Sequence, residues 1–145
     1  MPRKLRIRAA GKPAVVIHRS AIQRDRVVYI AVANKPSKYP HGRSRIVYIG
    51  TTKAGASRIA ASAAGKAREL LGLHGVTHLE FHVLSCLPRQ KVQTWRKMER
   101  GLLLCFRERL GEIPKCNRQG KRMKWRDELK YFTEARLRSI VERYS

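Results

Sequence analysis

The chain has 145 residues, of which 33 are lysine or arginine and 10 are aspartate or glutamate, giving a formal net charge of +23. This length accommodates one domain with a hydrophobic core, and the 43% of hydrophobic residues argues against disorder throughout. The charge points to a polyanionic partner, of which nucleic acid is the commonest. No aspartate occurs between Asp25 and Asp127. The composition therefore argues against any site that gathers several carboxylates around two metals.

Cysteine usage and hydropathy bear on the compartment. Cys86, Cys105 and Cys116 are an odd number without CxxC spacing, which favours a reducing compartment and no disulfide framework. No apolar run approaches the roughly 20 residues that span a bilayer, and no signal-peptide core follows the basic start. We expect an intracellular protein, cytoplasmic or nucleoid-associated, that is neither secreted nor membrane-bound. A mitochondrial transit peptide over residues 1–24 is the alternative to a basic arm or an added strand.

The first half of the chain favours β-structure. A short apolar run at residues 14–17 is a candidate strand. Two clearer strands follow at residues 26–32 and 45–50, since both are rich in β-branched and aromatic residues and both are bounded by turn formers. The basic segment 34–44 contains two prolines and a glycine. It predicts a long loop that joins the two strands as an antiparallel hairpin.

The second half favours helices around one more strand. Alanine-rich residues 54–71 predict a helix, and the alternation of residues 77–84 predicts a strand. Pro88 opens a second predicted helix that runs to about Leu110. Residues 125–144 predict a final amphipathic helix.

The resulting order, ββαβαα, predicts an α+β fold in which a small antiparallel sheet is flanked by helices. We expect a basic N-terminal arm or added strand over residues 1–25 and a core over residues 26–120. Residues 121–145 would form the C-terminal basic amphipathic helix packed on that core.

Two charged residues stand out from their helical context. Glu99 falls inside the predicted apolar stripe of the second helix, where a carboxylate is costly unless it is paired or bound to a metal. The ordinary alternative is a glutamate at the edge of the stripe that pairs with an arginine. Arg58 follows the end of the second strand closely, so its guanidinium is placed to bind a phosphate in a bidentate manner. Its ordinary alternative is a solvated surface arginine.

The order of five residues carries the most specific signal. Tyr29 ends a Val-Val-Tyr triplet, Tyr48 opens a Tyr-Ile-Gly triplet, and Arg58 stands eight residues after the glycine of that triplet. Glu99 follows on a later helix, and Asn117 lies in a Pro-Lys-Cys-Asn loop. This order resembles the GIY-YIG nuclease superfamily across the predicted core.

The resemblance implies a compact ββαβα core and a metal-dependent endonuclease that hydrolyses phosphodiesters with one Mg²⁺ (or Mn²⁺) per active site. Carried over by position, Glu99 would hold the metal, Arg58 would stabilise the phosphate, and Asn117 would support the site. Tyr48 is favoured as the hydroxyl that activates water and Tyr29 as the group that aligns it, although the opposite assignment stays open. A neighbouring metal and Arg58 would both lower the pKa of Tyr48.

One departure from the family pattern supports an alternative function. Many family members carry a histidine or tyrosine four residues after the helix arginine, whereas this chain has Ser62. His41 and His74 are candidate substitutes. If neither serves, the alternative is a non-catalytic nucleic-acid-binding protein, ribosome-associated or architectural, on a decayed nuclease core.

Histidine spacing offers a third, weaker interpretation. His78 and His82 share one face of the predicted third strand with Glu80, and Cys86 follows nearby. These residues suggest either a zinc-stabilised interaction module or a polar sheet face, and the polar face is favoured.

Basic residues on both sides of the predicted site indicate how nucleic acid would be held, with DNA favoured over RNA. The candidate binding residues are Lys35, Lys38, Arg43, Arg45, Lys53, Arg118, Lys121, Arg122 and Lys124. Tyr39, Trp125 and Tyr131 interleave with these charges and suggest base stacking, although Tyr131 fits a core position as well.

Overall fold

The structure is a computed structural model that describes residues 4–14, 16, 25–54, 56–72 and 75–145. The elements in this part of the chain are β1 (Val27–Tyr39), β2 (Gly42–Thr52), α1 (Ala56–Leu70), β3 (Leu79–Leu84), α2 (Thr94–Leu110) and α3 (Glu134–Tyr144). Their order confirms the predicted α+β arrangement of a small antiparallel sheet with helices. Among the described residues, no helix combines the length and apolar character needed to cross a membrane.

The sheet has the order β2-β1-β3, with β1 paired antiparallel to both neighbours. Seven consecutive residues at the start of β1, from Val27 to Ala33, are buried because helices cover both faces of the central strand. On one face, Ile30 and Val32 belong to a core cluster with α2 and α3. On the other face, Ala31 and Ala33 belong to a second cluster that includes Leu70 of α1.

A β-bulge in β2 directs two neighbouring side chains to the same face of the sheet. Ala31 pairs with Tyr48 and Val32 pairs with Ile46, which leaves Val47 without a counterpart on β1. Val47 and Tyr48 therefore both pack in the α1-side cluster, whereas simple alternation would direct them to opposite faces. The bulge is what gives Tyr48 its position next to α1.

The predicted long loop over residues 34–44 is wrong. The two strands continue almost to the tip of the hairpin, where Tyr39 pairs with Gly42. Tyr39 is 3% exposed, its ring packs edge-on against Phe106 at 5.1 Å, and its hydroxyl donates to the Ile46 carbonyl. This non-local packing outweighs the local turn signal of the prolines and the glycine.

The predicted start of the second helix at Pro88 is also wrong, since α2 begins at Thr94. Residues 85–93 form a loop in which Arg89 and Val92 make an isolated β-bridge and Lys91 has a φ of 61°. The helix ends as predicted at Gly111, which adopts a left-handed conformation. Gly101 lets α3 approach closely, because a Cβ there would lie 2.7 Å from Leu137 Cδ1.

The predicted helix over residues 125–144 is replaced by a short 3₁₀ turn, Glu128–Lys130, followed by α3. The α-helix begins only after Thr133, whose hydroxyl accepts a hydrogen bond from the Arg136 amide. Before that point Glu128 is fully buried and accepts hydrogen bonds from Arg100 Nε and the Arg126 amide, which fixes a turn geometry there.

The candidate strand at residues 14–17 falls partly outside the described residues. Val15 and Ile17 are not described, and the described Ala14 and Val16 do not belong to a strand.

The Glu128 carboxylate generates a stability prediction. Burial alone would raise the pKa of Glu128, but hydrogen bonds from the Arg126 amide and Arg100 outweigh burial and hold it below its ordinary value. We expect Glu128→Ala to lower the free energy of unfolding in urea at pH 7 by about 3 kcal/mol. Because the folded-state pKa is depressed, the contribution is present above pH 4.5 and disappears as the pH falls through the folded-state pKa.

The matched control is Glu142→Ala, which removes a carboxylate that is 64% exposed and pairs with Arg109. We expect this variant to lower the free energy of unfolding by less than about 1 kcal/mol, both at pH 7 and at acidic pH. Equal losses in the two variants would contradict a special role of the buried pair.

Candidate active site

Gly50 lies beneath two tyrosine rings. It pairs with Tyr29 across the β1–β2 ladder, and the ring centroids of Tyr29 and Tyr48 are 5.8 Å apart. A Cβ at Gly50 would lie 2.6 Å from Tyr48 Cε1 and 2.8 Å from Tyr29 Cζ. Only a glycine therefore allows both rings to cover this point of the sheet.

The tyrosine pair is linked to α1 through Tyr29. The Tyr29 hydroxyl donates to Ser62 Oγ at 3.0 Å, and its proximity also raises the pKa of Tyr48. Ser62 thus contacts the tyrosine pair directly, although it departs from the residue type common in the GIY-YIG family. His41, a candidate substitute, lies instead at the hairpin tip beside Gly111. His74 lies outside the described residues.

The environment of Tyr48 keeps its hydroxyl protonated. Burial raises the pKa of Tyr48 far above its ordinary value of 10, and the Tyr29 hydroxyl and the Glu99 charge raise it further. Arg58 lowers it, as the sequence predicts, but burial outweighs this effect. Deprotonation of Tyr48 would therefore need more positive charge than the protein itself places there.

Glu99 lies half-buried on α2 and interacts with the end of β2. Burial raises its pKa, while a hydrogen bond from the Thr51 side chain and the charges of Arg96 and Arg100 lower it. No salt bridge to Glu99 occurs in the described part of the chain. The expected alternative, a glutamate that simply pairs with an arginine, does not describe this residue.

A cleft of about 300 Å³ opens where β2 ends and both helices begin. Its lining consists of Thr51, Thr52, Lys53, Ala54, Arg58, Trp95 and Arg96. Arg58 enters from α1 on one side of the sheet and Arg96 from α2 on the other. Glu99 does not line the cleft, but Thr51, which does, lowers the pKa of Glu99. We refer to this space as the reaction cleft.

Asn117 holds the outer edge of β2. Its Oδ1 accepts a hydrogen bond from the Ile49 amide at 3.0 Å, and its Nδ2 donates to the Ile49 carbonyl at 2.8 Å. The amide thereby completes the backbone bonding of the residue between Tyr48 and Gly50. Asn117 positions the strand that carries the tyrosine.

Lys66 is a site residue that the sequence interpretation missed. Its Nζ lies 4.7 Å from the centroid of the Tyr48 ring and donates to the Cys116 carbonyl at 3.2 Å. Residues 58, 62 and 66 recur every four positions, so they follow one face of α1. This spacing could have identified Lys66 as a site residue, because Arg58 and Ser62 already lie on the same face.

Most of the scarce acids lie close to a basic side chain in the described structure. Arginine, lysine or histidine partners lie within salt-bridge distance of Glu69, Glu80, Glu108, Asp127, Glu128, Glu134 and Glu142. Asp25, Glu99 and Glu112 form no such pair with any described residue. Glu99 is the unpaired acid next to the reaction cleft.

The predicted nucleic-acid-binding residues separate into groups. Lys53 lines the reaction cleft. Lys38 and Arg43 pair across the hairpin near its tip, nine residues beyond Tyr29 along β1, which corresponds to a distance of up to about 30 Å. Lys35 lies against Gly75, and Arg45 Nε donates to the Ser145 carbonyl. The hairpin residues are thus remote from the cleft.

The basic segment 118–124 lies along α2. Arg107 donates to the carbonyls of Gly120, Lys121 and Met123, and Arg100 donates to the carbonyl of Lys124. These bonds fix the backbone of the segment. The side chains of Lys121, Arg122 and Lys124 remain exposed, whereas Arg118 pairs with Glu69 at 3.3 Å.

The aromatic residues predicted to stack on bases are engaged within the protein. Tyr39 is buried, which makes its predicted role wrong. Trp125 packs against the core, and its Nε1 donates to Glu108. The guanidinium of Arg89 covers the Tyr131 ring at 5.5 Å.

The histidine face of β3 forms a hydrogen-bonded row. His78 and His82 each contact one oxygen of Glu80, at 3.2 and 2.9 Å. Among the residues that the structure describes, no three histidine, cysteine or acidic side chains form a group that could hold a metal ion. A polar sheet face accounts for these residues.

In comparisons with known proteins, no family model, no curated protein and no solved structure matches the chain.

The packing of Gly50 yields a test by substitution. We expect Gly50→Ala to lower the free energy of unfolding by about 1–3 kcal/mol, because the added methyl group forces two aromatic rings apart. Urea unfolding measures the loss, and near-ultraviolet circular dichroism reports the changed tyrosine environment. The control is Gly65→Ala, since nothing lies within 4 Å of a Cβ at that helical position. It should stabilise by about 0.5–1 kcal/mol, and a similar gain for Gly50→Ala would contradict the close packing.

The contacts of Lys66 predict a local effect. We expect Lys66→Met to speed hydrogen exchange of the Ile49 and Cys116 amides about five- to tenfold, because the loop that carries Asn117 loses its tie to α1. Amide exchange followed by NMR measures this rate. Arg68→Met, an exposed position on the same helix, should leave both amides unchanged. Equal exchange in the wild type and Lys66→Met would show that the contact does not hold the loop.

Proposed function

We propose that the protein is a metal-dependent endonuclease with a GIY-YIG-like core that hydrolyses phosphodiester bonds in nucleic acid, with DNA favoured. The observation that carries the proposal is the half-buried Glu99, which forms no salt bridge with a described residue and interacts with Thr51 of a cleft that Lys53, Arg58 and Arg96 also line. In a chain of charge +23, an acid left without a basic partner at such a place is best explained by a cationic ligand.

The donor set fits a hard divalent cation of the magnesium type. Glu99 supplies one carboxylate, and Mg²⁺ commonly binds through one or two carboxylates while water and substrate phosphates complete its coordination. Such an ion, when bound, would supply charge neutralisation at the phosphate. No second carboxylate is required, which agrees with the shortage of acids in the chain.

The remaining residues have roles that follow from their positions. Arg58 and Arg96 enter the cleft from opposite faces of the sheet, where two guanidinium groups can bind the non-bridging oxygens of one phosphate. Lys53 adds a third positive charge at the rim of the cleft. The tyrosine pair linked to Ser62 would orient the attacking water, because Tyr48 and Tyr29 are fixed by the packing over Gly50.

Tyr48 is protonated in the resting site and would act as a base only once phosphate binding and added positive charge have changed its surroundings. Phosphoryl transfer relies mainly on positioning and electrostatic stabilisation, so such a conditional base is compatible with the reaction.

The alternative function is a non-catalytic nucleic-acid-binding protein, ribosome-associated or architectural. The favouring observation is the exposed basic segment 118–124, whose backbone is fixed by Arg100 and Arg107 independently of the reaction cleft. A protein of this class would bind nucleic acid in a salt-sensitive manner without using Glu99.

Cleavage assays separate the two functions. We expect the wild type to cut at least one of single-stranded, duplex and branched DNA with Mg²⁺ or Mn²⁺. Glu99→Gln and Arg58→Ala should each lower the cleavage rate at least about 100-fold, because they remove the metal ligand and the phosphate contact respectively. Gel electrophoresis of end-labelled substrates measures the rates.

The control is Arg68→Ala, which removes an exposed charge from the same helix as Arg58 and should change the rate less than about twofold. If the wild type binds these DNAs but cuts none of them, and Glu99→Gln binds equally well, the nuclease is rejected and the non-catalytic binding protein is supported.

A further inference from the structure

A second cleft adjoins the reaction cleft. It has a volume of about 470 Å³, and its lining includes Asp25, Arg26, Leu87, Pro88, Thr94 and Trp95. Trp95 lines both clefts, and the Arg26 amide donates to the carbonyl of Lys53, a residue of the reaction cleft. A polymer whose phosphate lies in one cleft can therefore place a neighbouring group in the other.

The lining combines flat, apolar and acidic groups. The guanidinium of Arg26 lies 5.8 Å from the centre of the Trp95 ring, and Leu87 is 86% exposed. Asp25 makes no salt bridge with any described residue, although the chain carries 33 lysines and arginines. A carboxylate that forms no salt bridge with a described residue thus lines the same cleft as the Arg26–Trp95 pair.

The backbone at this cleft is strained. Arg26 has a φ of 49°, a left-handed conformation that is unfavourable for a residue other than glycine. Strain of this kind persists where the surrounding structure enforces it, and it is concentrated at functional sites. Here it accompanies the placement of the guanidinium over Trp95.

We propose that the second cleft is a subsite for one unpaired nucleobase next to the phosphate in the reaction cleft, and that it prefers guanine. An exposed guanidinium backed by an aromatic ring is a surface on which bases stack. The Asp25 carboxylate can accept the N1–H and amino group of guanine together, whereas the carbonyls that flank thymine N3–H would face the carboxylate. A phosphate suits this cleft less well than the reaction cleft, because Asp25 opposes the single positive charge of Arg26, whereas Lys53, Arg58 and Arg96 line the reaction cleft.

The subsite rests on the proposed function for its substrate class and deepens it. A base can enter the cleft only when it is not stacked in a regular duplex, so the substrate would be single-stranded, bulged or branched at the position beside the cut. The reaction cleft by itself would recognise only a phosphate. The subsite would also make recognition depend on the identity of one base and on that base being unstacked.

The test is a binding experiment without cleavage. Hairpin DNAs with a single bulged dG, dT or abasic linker are titrated with protein in EDTA, and fluorescence anisotropy gives the affinities. We expect the wild type to bind the dG bulge about tenfold more tightly than the abasic bulge, and more tightly than the dT bulge. Arg26→Ala should remove most of the difference in affinity between the dG bulge and the abasic bulge, since it removes the stacking surface.

The decisive comparison is Asp25→Asn against Glu112→Gln. Each variant removes one acid that forms no salt bridge with a described residue, so both should tighten binding to every hairpin through the common gain in net charge. Only Asp25→Asn should abolish the preference for dG over dT. Circular dichroism and urea unfolding establish that each variant folds.

Wild-type affinities equal for dG, dT and abasic bulges would overturn the subsite, as would a dG preference that Asp25→Asn leaves intact. Cleavage with Mg²⁺ but without base preference would retain the nuclease and reject the subsite. Base preference without any cleavage would retain the base-binding cleft and reject the nuclease.

Discussion

The arrangement of the candidate site depends on the absence of a side chain at Gly50. Two aromatic rings meet over that position, and a methyl group there would lie within 3 Å of both. The close approach determines where the hydroxyl of Tyr29 reaches Ser62 and how the Tyr48 ring meets Lys66. Because the rings are held on one side by the sheet and on the other by α1, the strand and the helix are fixed relative to each other.

The sheet explains how residues distant in sequence converge on one cleft. Helix α1 covers one face and α2 the other, and both begin beside the end of β2. Arg58 and Arg96 therefore come together although 38 positions separate them. The site needs no long loop for this purpose, since the N-terminal ends of two packed helices and one strand end supply it.

The sequence predicted the strongly periodic elements, but not the contacts that depend on distant partners. The alternation of β3 and the end of α2 at Gly111 follow from local pattern and were found. The hairpin extension was missed because it depends on Tyr39 packing against Phe106, 67 positions away. Lys66 was missed for the same reason, since its partners Tyr48 and Cys116 are adjacent only in the folded chain.

The distribution of acids connects the composition to the chemistry. With 33 bases and 10 acids, an acid on the surface of this protein meets a basic partner almost by default. A carboxylate that forms no salt bridge with a described residue is then informative, because cations lie near it and yet none pairs with it. Glu99 and Asp25 are two of the three acids without a salt bridge to a described residue. Asp25 lines the second cleft, and Glu99 interacts with Thr51 of the reaction cleft. Because no described arginine or lysine forms a salt bridge with them, each can meet a ligand with positive charge or hydrogen-bond donors, in a protein whose other surfaces attract anions.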